Sequence, residues 1–387
     1  MQFKQPKYDV RNYLRTATVA GILAIASAPS AFAAQFGADV ETPARAAWRD
    51  NMHQLSVPEG EGCFHASYPS TKWEKVACAA APGYRSKLSI DHLKALRANQ
   101  ALSSNEQVVA GNGYDFVAQT PSGNVFSKVV GTFPSVTGVT SETGANVPFG
   151  SGESDGIIGT NEYTLQLNTN ISHTPACGSY TNCLAWVQYV MSTNTPASLT
   201  SSTLTNKTEV FVEYWLFDYG TSSRSKCPTG FVNAGPDSTN GFGGAGVDCV
   251  QNTPATVVYN GQLPITQMAN VSFSGSVAAN GNDIATVTYG GQAYSSSVAD
   301  SKTGMSSGWT QAEYNVVGNA GGSQAQFNAG STVAVKLALT DGSTAAPTCL
   351  APSTRSGTTG ETNNLTLGST CTVGSGASPY IQFTESN

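Results

Sequence analysis

Val210-Phe211-Val212-Glu213-Tyr214-Trp215-Leu216-Phe217-Asp218-Tyr219 is a run of β-branched and aromatic residues with one carboxylate at its centre. Such side chains crowd the preceding turn of a helix and pack well on a pleated surface, so the run predicts a strand. Alternate residues of a strand share a face. Phe211, Glu213, Trp215 and Phe217 therefore fall on one side, with Glu213 as a lone acid among large apolar groups. If that side is buried, desolvation raises the pKa of the acid and favours its protonated form. Two further segments read in the same way. Leu184–Val190 (LAWVQYV) sets Trp186, Gln188 and Val190 on one face. Gln311–Val317 (QAEYNVV) sets Gln311, Glu313 and Asn315 opposite Ala312, Tyr314 and Val316, the expected core side.

Around these strands the composition is that of an all-β domain. Residues 101–387 are rich in Ser, Thr, Gly, Val and Asn, with recurrent alternation broken by Gly and Pro. This pattern predicts many short strands joined by turns. Residues 34–100 differ, with helix-like periodicity at Thr42–Leu55 and Ser89–Asn99. The expected organisation is a leader over 1–33, a small, partly helical N-terminal region over 34–105 and a β-sandwich domain over 106–387. The last is long enough to bury a single large core.

The first residues set the expected compartment. Lys4, Lys7, Arg11 and Arg15 precede the uncharged apolar stretch Thr16–Ala28, and Ala31-Phe32-Ala33 follows as a small-x-small cleavage pattern. Together these predict a secretory signal peptide, whose apolar run is too short to span a bilayer. No later segment is long and apolar enough to cross one, so a secreted chain that does not engage a membrane is expected. The eight cysteines lie beyond the leader in four near-neighbour pairs: Cys63 and Cys78, Cys177 and Cys183, Cys227 and Cys249, Cys349 and Cys371. In an oxidising compartment an even set reads as a disulfide framework, expected to pair neighbours. A C-x-x-C pair is missing and histidines are few, so no metal site and no cofactor are expected.

Charge and residue type exclude other classes. Residues 101–387 carry seven bases against seventeen acids, which disfavours tracking a phosphate backbone, and no nucleic-acid partner is expected. Such a surface suits an acidic medium, because few bases remain to repel once the acids are neutralised. Serine or cysteine hydrolysis needs a histidine base, and the β domain contains only His173, beside Pro175 and Cys177. Gly241–Gly246 lacks the Lys-Ser/Thr of a phosphate loop and reads as a loop inside the 227–249 staple. Carboxylate and amide chemistry is what remains.

Three stretches carry a resemblance to a known family. Gly111-Asn112-Gly113-Tyr114-Asp115 leads to Val129-Val130-Gly131-Thr132-Phe133-Pro134; Trp186-Val187-Gln188 is followed by the aromatic strand with Tyr214-Trp215; Ala312-Glu313-Tyr314-Asn315-Val316 comes last. In this order they resemble the eqolisin-type glutamic peptidases, secreted acid proteases built on a concanavalin-like/jelly-roll β-sandwich. The likeness covers most of 105–340. The family's opening Asn-Trp-Ala-Gly stands here as Asn112-Gly113-Tyr114-Asp115, and its Trp-Val-Gly-Ile-Asp-Gly strand is absent near Tyr163–Leu167.

The resemblance implies a catalytic Glu313 acting as general base on water, and Gln188 stabilising the oxyanion of the tetrahedral intermediate. Glu213 competes with Gln188 for that position, and a Glu/Glu pair would be similar in chemistry to the neprosin-type glutamic peptidases. Trp186, Trp215 and Tyr314 are the candidates for contacting substrate. The partner would be a protein or peptide and the chain a monomer. Because such enzymes are made with propeptides, 34–105 reads either as an inhibitory prodomain or as an accessory subdomain. A second class stays open, a lectin-like or adhesive sandwich binding glycan through Trp186, Tyr189, Trp215, Tyr219 and Trp309. Closeness of the acid and amide side chains would favour the first class; exposed aromatics on one face would favour the second.

Overall fold

The computed structural model describes residues 41–83, 113–146, 159–195, 197, 204–240, 243–319, 323–352 and 361–387. The expected leader, the helix expected at Ser89–Asn99, and the Gly111-Asn112 and Gly241-Phe242 dipeptides lie outside them. The described chain is an antiparallel β-sandwich of two large sheets, with a small third sheet beside them.

The first sheet runs β2 (Glu74–Val76), β1 (Gly62–Ser67), β15 (Gln292–Ala299), β14 (Asn282–Tyr289), β13 (Ser272–Ser276) and β4 (Lys128–Thr137). It continues through β18 (Thr332–Thr340), β23 (Tyr380–Ser386) and β21 (Thr366–Leu367), with β22 (Thr372–Gly374) also on β23. The second sheet runs β10 (Val232–Pro236), β11 (Val247–Asn252), β9 (Thr208–Tyr219), β8 (Leu184–Ser192) and β7 (Tyr163–Thr169). Then come β16 (Gln311–Gly318), β3 (Val117–Gln119) and β19 (Thr348–Leu350), with β12 (Thr256–Tyr259) on β9. The third sheet is β20 (Thr362–Asn363), β17 (Ser323–Phe327), β5 (Glu142–Asn146) and β6 (Gly159–Thr160).

Alternation within each strand explains why the large sheets face each other. Leu165 and Leu167 of β7, Val187 and Tyr189 of β8, Val212 and Tyr214 of β9, and Tyr314 and Val316 of β16 all enter one core. Across it stand Val129, Phe133, Phe273, Val287 and Leu337 of the first sheet. Full burial of each such side chain contributes on the order of 1.5–3 kcal/mol. Two glycines make room for rings from the opposite sheet. A Cβ on Gly131 would sit 2.4 Å from the Tyr314 ring, and one on Gly275 would sit 2.3 Å from the Tyr189 ring.

All four expected disulfides are present: Cys63–Cys78, Cys177–Cys183, Cys227–Cys249 and Cys349–Cys371. Among the described residues no helix is long and apolar enough to cross a membrane.

The N-terminal segment is built into the sandwich. Pro43–Met52 forms helix α1, begun by Thr42, whose hydroxyl accepts the Arg45 amide, and by Pro43, whose missing N–H is no loss at that position. Its Trp48 and Met52 pack with Phe64, Ala66, Trp73 and Ala293. Strand β1 pairs with β15 along six residues. His53 is buried, with Nδ1 2.8 Å from Ser274 Oγ and Nε2 3.0 Å from Thr288 Oγ1. Burial, with Lys128 and Arg49 nearby, pushes its imidazole down to about 3, so it is neutral and both ring nitrogens are used in packing.

Candidate functional site

The face of the second sheet that points away from the core holds the candidates. Register sets Glu213 opposite Gln188, Gln188 opposite Asn168, and Asn168 opposite Glu313, across the adjacent strands β9, β8, β7 and β16. Asn252 of β11 lies opposite Glu213. The result is a line of acid, amide, amide and acid running perpendicular to the strands. Strands lie about 4.8 Å apart, so Gln188 and Glu313 are separated by roughly 10 Å of backbone, with Asn168 filling the gap.

Hydrogen bonds join the line. Asn168 Nδ2 donates to Glu313 Oε2 at 2.8 Å, and Gln188 Nε2 donates to Asn168 Oδ1 at 2.9 Å and to Gln166 Oε1 at 3.2 Å. Glu213 Oε1 accepts the indole N–H of Trp215 at 2.8 Å. Asn168 thus fixes the orientation of both Gln188 and Glu313. The row is closed off from solvent, with Glu313 2%, Gln188 3% and Glu213 5% exposed. At its β11 end Asn252 Nδ2 donates to the carbonyl of Pro82, at 3.2 Å. Among the buried acceptors on this sheet without a hydrogen-bond partner are Asn252 Oδ1 and Gln311 Oε1.

Beside Glu213 the same face is aromatic. Trp215 and Phe217 stack at 5.4 Å, and Trp186 lies 6.2 Å from Phe217. Trp186 anchors its indole N–H on the Thr169 carbonyl at 3.0 Å. Tyr314, expected among the substrate contacts, is instead a core residue. Its parity on β16 is opposite to that of Glu313, and its ring packs 5.2 Å from Phe133. Tyr189 and Trp309 also belong to the core and lie 5.7 Å apart. Asn315 is drawn away from the row, its amide donating to Glu385 of β23 at 2.6 Å.

Gln188, Glu213 and Glu313 therefore share one row, whereas sequence alone left Gln188 and Glu213 as rivals for a single place. Asn168 was missed. The stretch Tyr163–Leu167 was read only for a motif it lacks, although Thr164, Gln166 and Asn168 alternate with Tyr163, Leu165 and Leu167 in the manner of the other three strands.

The remaining motifs are occupied structurally. His173 Nδ1 lies 3.0 Å from the Cys183 carbonyl. In the glycine-rich loop the Gly246 amide donates to Asp218 at 2.7 Å and the Gly244 amide to Asp237. Those N–H groups serve the chain's own carboxylates rather than a phosphate. Among the described residues no group of three or more His, Cys, Asp or Glu is arranged to hold a metal ion.

No family model, no curated protein and no solved structure matches this chain.

Proposed function

We propose that the row is the catalytic centre of a secreted, acid-acting endopeptidase of glutamic type. The observation that carries this reading is the register-fixed bridge in which Asn168 holds Gln188 and Glu313 on one face. In the reaction, Glu313 as carboxylate takes a proton from water as the water attacks the scissile carbon, then returns that proton to the departing amine. The amide N–H of Gln188 stabilises the oxyanion between these steps. To do so it exchanges one of its present hydrogen bonds, to Gln166 or to Asn168, for the substrate oxygen. Glu213, two strands beyond Asn168, supports Gln188 from the other side.

One further feature supports an extended peptide as ligand. Asn252 and Gln311 lie on strands flanking the three that carry Glu213, Gln188 and Asn168. Their orphaned carbonyls would accept peptide N–H groups, relieving a desolvation cost of about 1–3 kcal/mol each. The glycan-binding alternative draws less support, because Trp186, Tyr189, Trp215 and Trp309 are all fully buried and make no exposed platform.

Closure of the row implies a latent form. Ala79–Gly83 reach the β11 end of the row through the Pro82 carbonyl, so the N-terminal region masks it, and a cut beyond Gly83 would free this end to leave Asn252 while 41–78 stay in the sandwich. The test is proteolysis of an unfolded protein from acidic to neutral pH by full-length and processed chains. Glu313→Gln, Gln188→Ala and Glu213→Gln variants run alongside. Acid-peaked cleavage lost in Glu313→Gln and reduced at least about tenfold in Gln188→Ala is expected. Absence of cleavage by the processed chain at every pH would sink the enzyme reading and leave the row as a structural ladder.

A further inference from the structure

Buried carboxyl groups recur in pairs outside the row. In the first pair, Glu162, just before β7, is buried but well supplied with donors. Its oxygens take N–H donors from Asn194 at 2.8 Å, from Asn319 at 3.3 Å and from Gln262. Glu142 of β5 lies beside it, fully buried, and neither of its carboxyl oxygens has a hydrogen-bond partner. The amides of Asn161 and Glu162 are near enough to favour its charged form slightly without bonding to it. Tyr163 is the other titratable group facing it.

The second pair joins the two large sheets. Asp300 accepts both the amide of Ser306, at 3.0 Å, and its hydroxyl, at 2.6 Å. Asp283 of β14 lies beside Asp300 and receives the hydroxyl of Tyr214, from β9, at 2.8 Å. Its other oxygen is buried without a partner. Tyr189 of β8 also faces it. In both pairs one acid is supplied with donors, while its neighbour, desolvated and facing a second acid, is pushed toward the neutral form. Asp248 beside Asp237 repeats the arrangement within the second sheet, with one Asp248 oxygen orphaned and Asp237 accepting the Gly244 amide.

We propose that the Glu142 and Asp283 pairs are proton-held clasps between the layers of the sandwich, which keep the protein closed in acid and release it as the pH rises. Geometry supports the placement, since Tyr214 of the second sheet bonds Asp283 of the first, and Glu142 of the third sheet lies buried beside Glu162 of the second. The sign follows from the direction of the shifts. Burial first, and the neighbouring acid second, push Glu142 up to about 8 and Asp248 up to about 9, and raise Asp283 well above the carboxylate range. A group raised in the folded state stabilises fully below its unfolded value. That stability is lost as the pH climbs from about 4 through the folded value. Within this window each clasp lowers the folding equilibrium constant about tenfold per pH unit.

The inference does not depend on the row being catalytic. The full chain is unfolded with urea at a series of pH values from 3 to 9, with Glu142→Gln and Asp283→Asn, whose amides imitate the neutral acids. The expected result is a wild-type midpoint that falls steadily above about pH 5. The variants should match it in acid and exceed it at pH 8. Infrared spectra of the wild type at pH 7 should also retain a protonated-carboxyl band, a readout that needs no variant to fold. A wild-type midpoint that is flat or rises toward neutrality, or the absence of that band, would overturn the proposal.

Discussion

At the scale of single residues, Asn168 decides how the row behaves. It is the only described side chain bonded to both Gln188 and Glu313, and it is 2% exposed, so it cannot be replaced by water without rearrangement. Asn168→Ala should cost about 1–3 kcal/mol, the desolvation of partners left unsatisfied, read as a lower urea midpoint at all pH values. Asn168→Asp is more informative. It keeps the shape but sets a second carboxyl within hydrogen-bond reach of Glu313, and two such acids share a proton or repel. The variant should be nearly silent at pH 4 and clearly destabilised at pH 7; equal loss at both would show that charge is not what Asn168 manages. The three residues taken from sequence were legible because each broke an apolar alternation with a polar group. Asn168 was legible by the same rule, in Thr164, Gln166 and Asn168, but a missing motif drew the reading elsewhere. The bridge itself was beyond reach, since it depends on β7 lying between β8 and β16, a long-range pairing that local pattern does not encode.

At the scale of elements, the closeness of the two large sheets depends on where side chains are missing. Gly131 on β4 faces the ring of Tyr314 on β16, and Gly275 on β13 faces the ring of Tyr189 on β8. Each ring fills a dimple in the opposite sheet, and each stands on the strand that carries a residue of the row on its other face. A Cβ at 2.3–2.4 Å from a fixed, fully buried ring has no space. Gly131→Ala and Gly275→Ala should therefore destabilise by about 1–3 kcal/mol through overpacking, although alanine normally suits a strand no worse than glycine. Equilibrium urea unfolding measures this, and Gly330→Ala serves as a control because a Cβ there meets nothing within 4 Å. Its φ of +78° makes alanine strained there, so its loss reports backbone strain alone. Truncating the facing ring should offset the clash, and Gly275→Ala combined with Tyr189→Leu should lose less than the sum of the single changes. If the pair is additive, the ring is not what the glycine accommodates. The sequence displayed Gly131 inside Val129–Pro134 as part of a resemblance. Its physical role appears only when the second sheet is laid across it.

At the scale of the whole molecule, residues 41–83 are joined to the sandwich by packing and strand pairing. The change of composition near residue 100 suggested a separable region over 34–105, because charge balance and helical periodicity differ from the β domain. Yet α1 buries Trp48 and Met52 against Ala293, His53 fills the space between Ser274 and Thr288, and β1 covers the edge of β15 along six residues. Composition reports surface chemistry and says little about edge pairing, which is why this attachment was not legible in it. A sharp consequence follows from where the covalent links lie. Cys63–Cys78 closes a loop wholly inside this segment, so no disulfide ties 41–83 to the rest of the chain. If a specific protease site is placed between Gly83 and Gly113 and cut, the two pieces should separate on a denaturing gel without reductant. They should still co-elute under native conditions. Paired backbone, the α1 packing and the buried His53 hold them together, and an uncovered β15 would leave a row of unpaired backbone groups open to association with other chains. A chain beginning at residue 84 lacks that cover and should aggregate or unfold at lower urea than the nicked pair. Clean dissociation of the nicked pieces, with a stable and monomeric larger fragment, would return 41–83 to the status of a detachable propeptide.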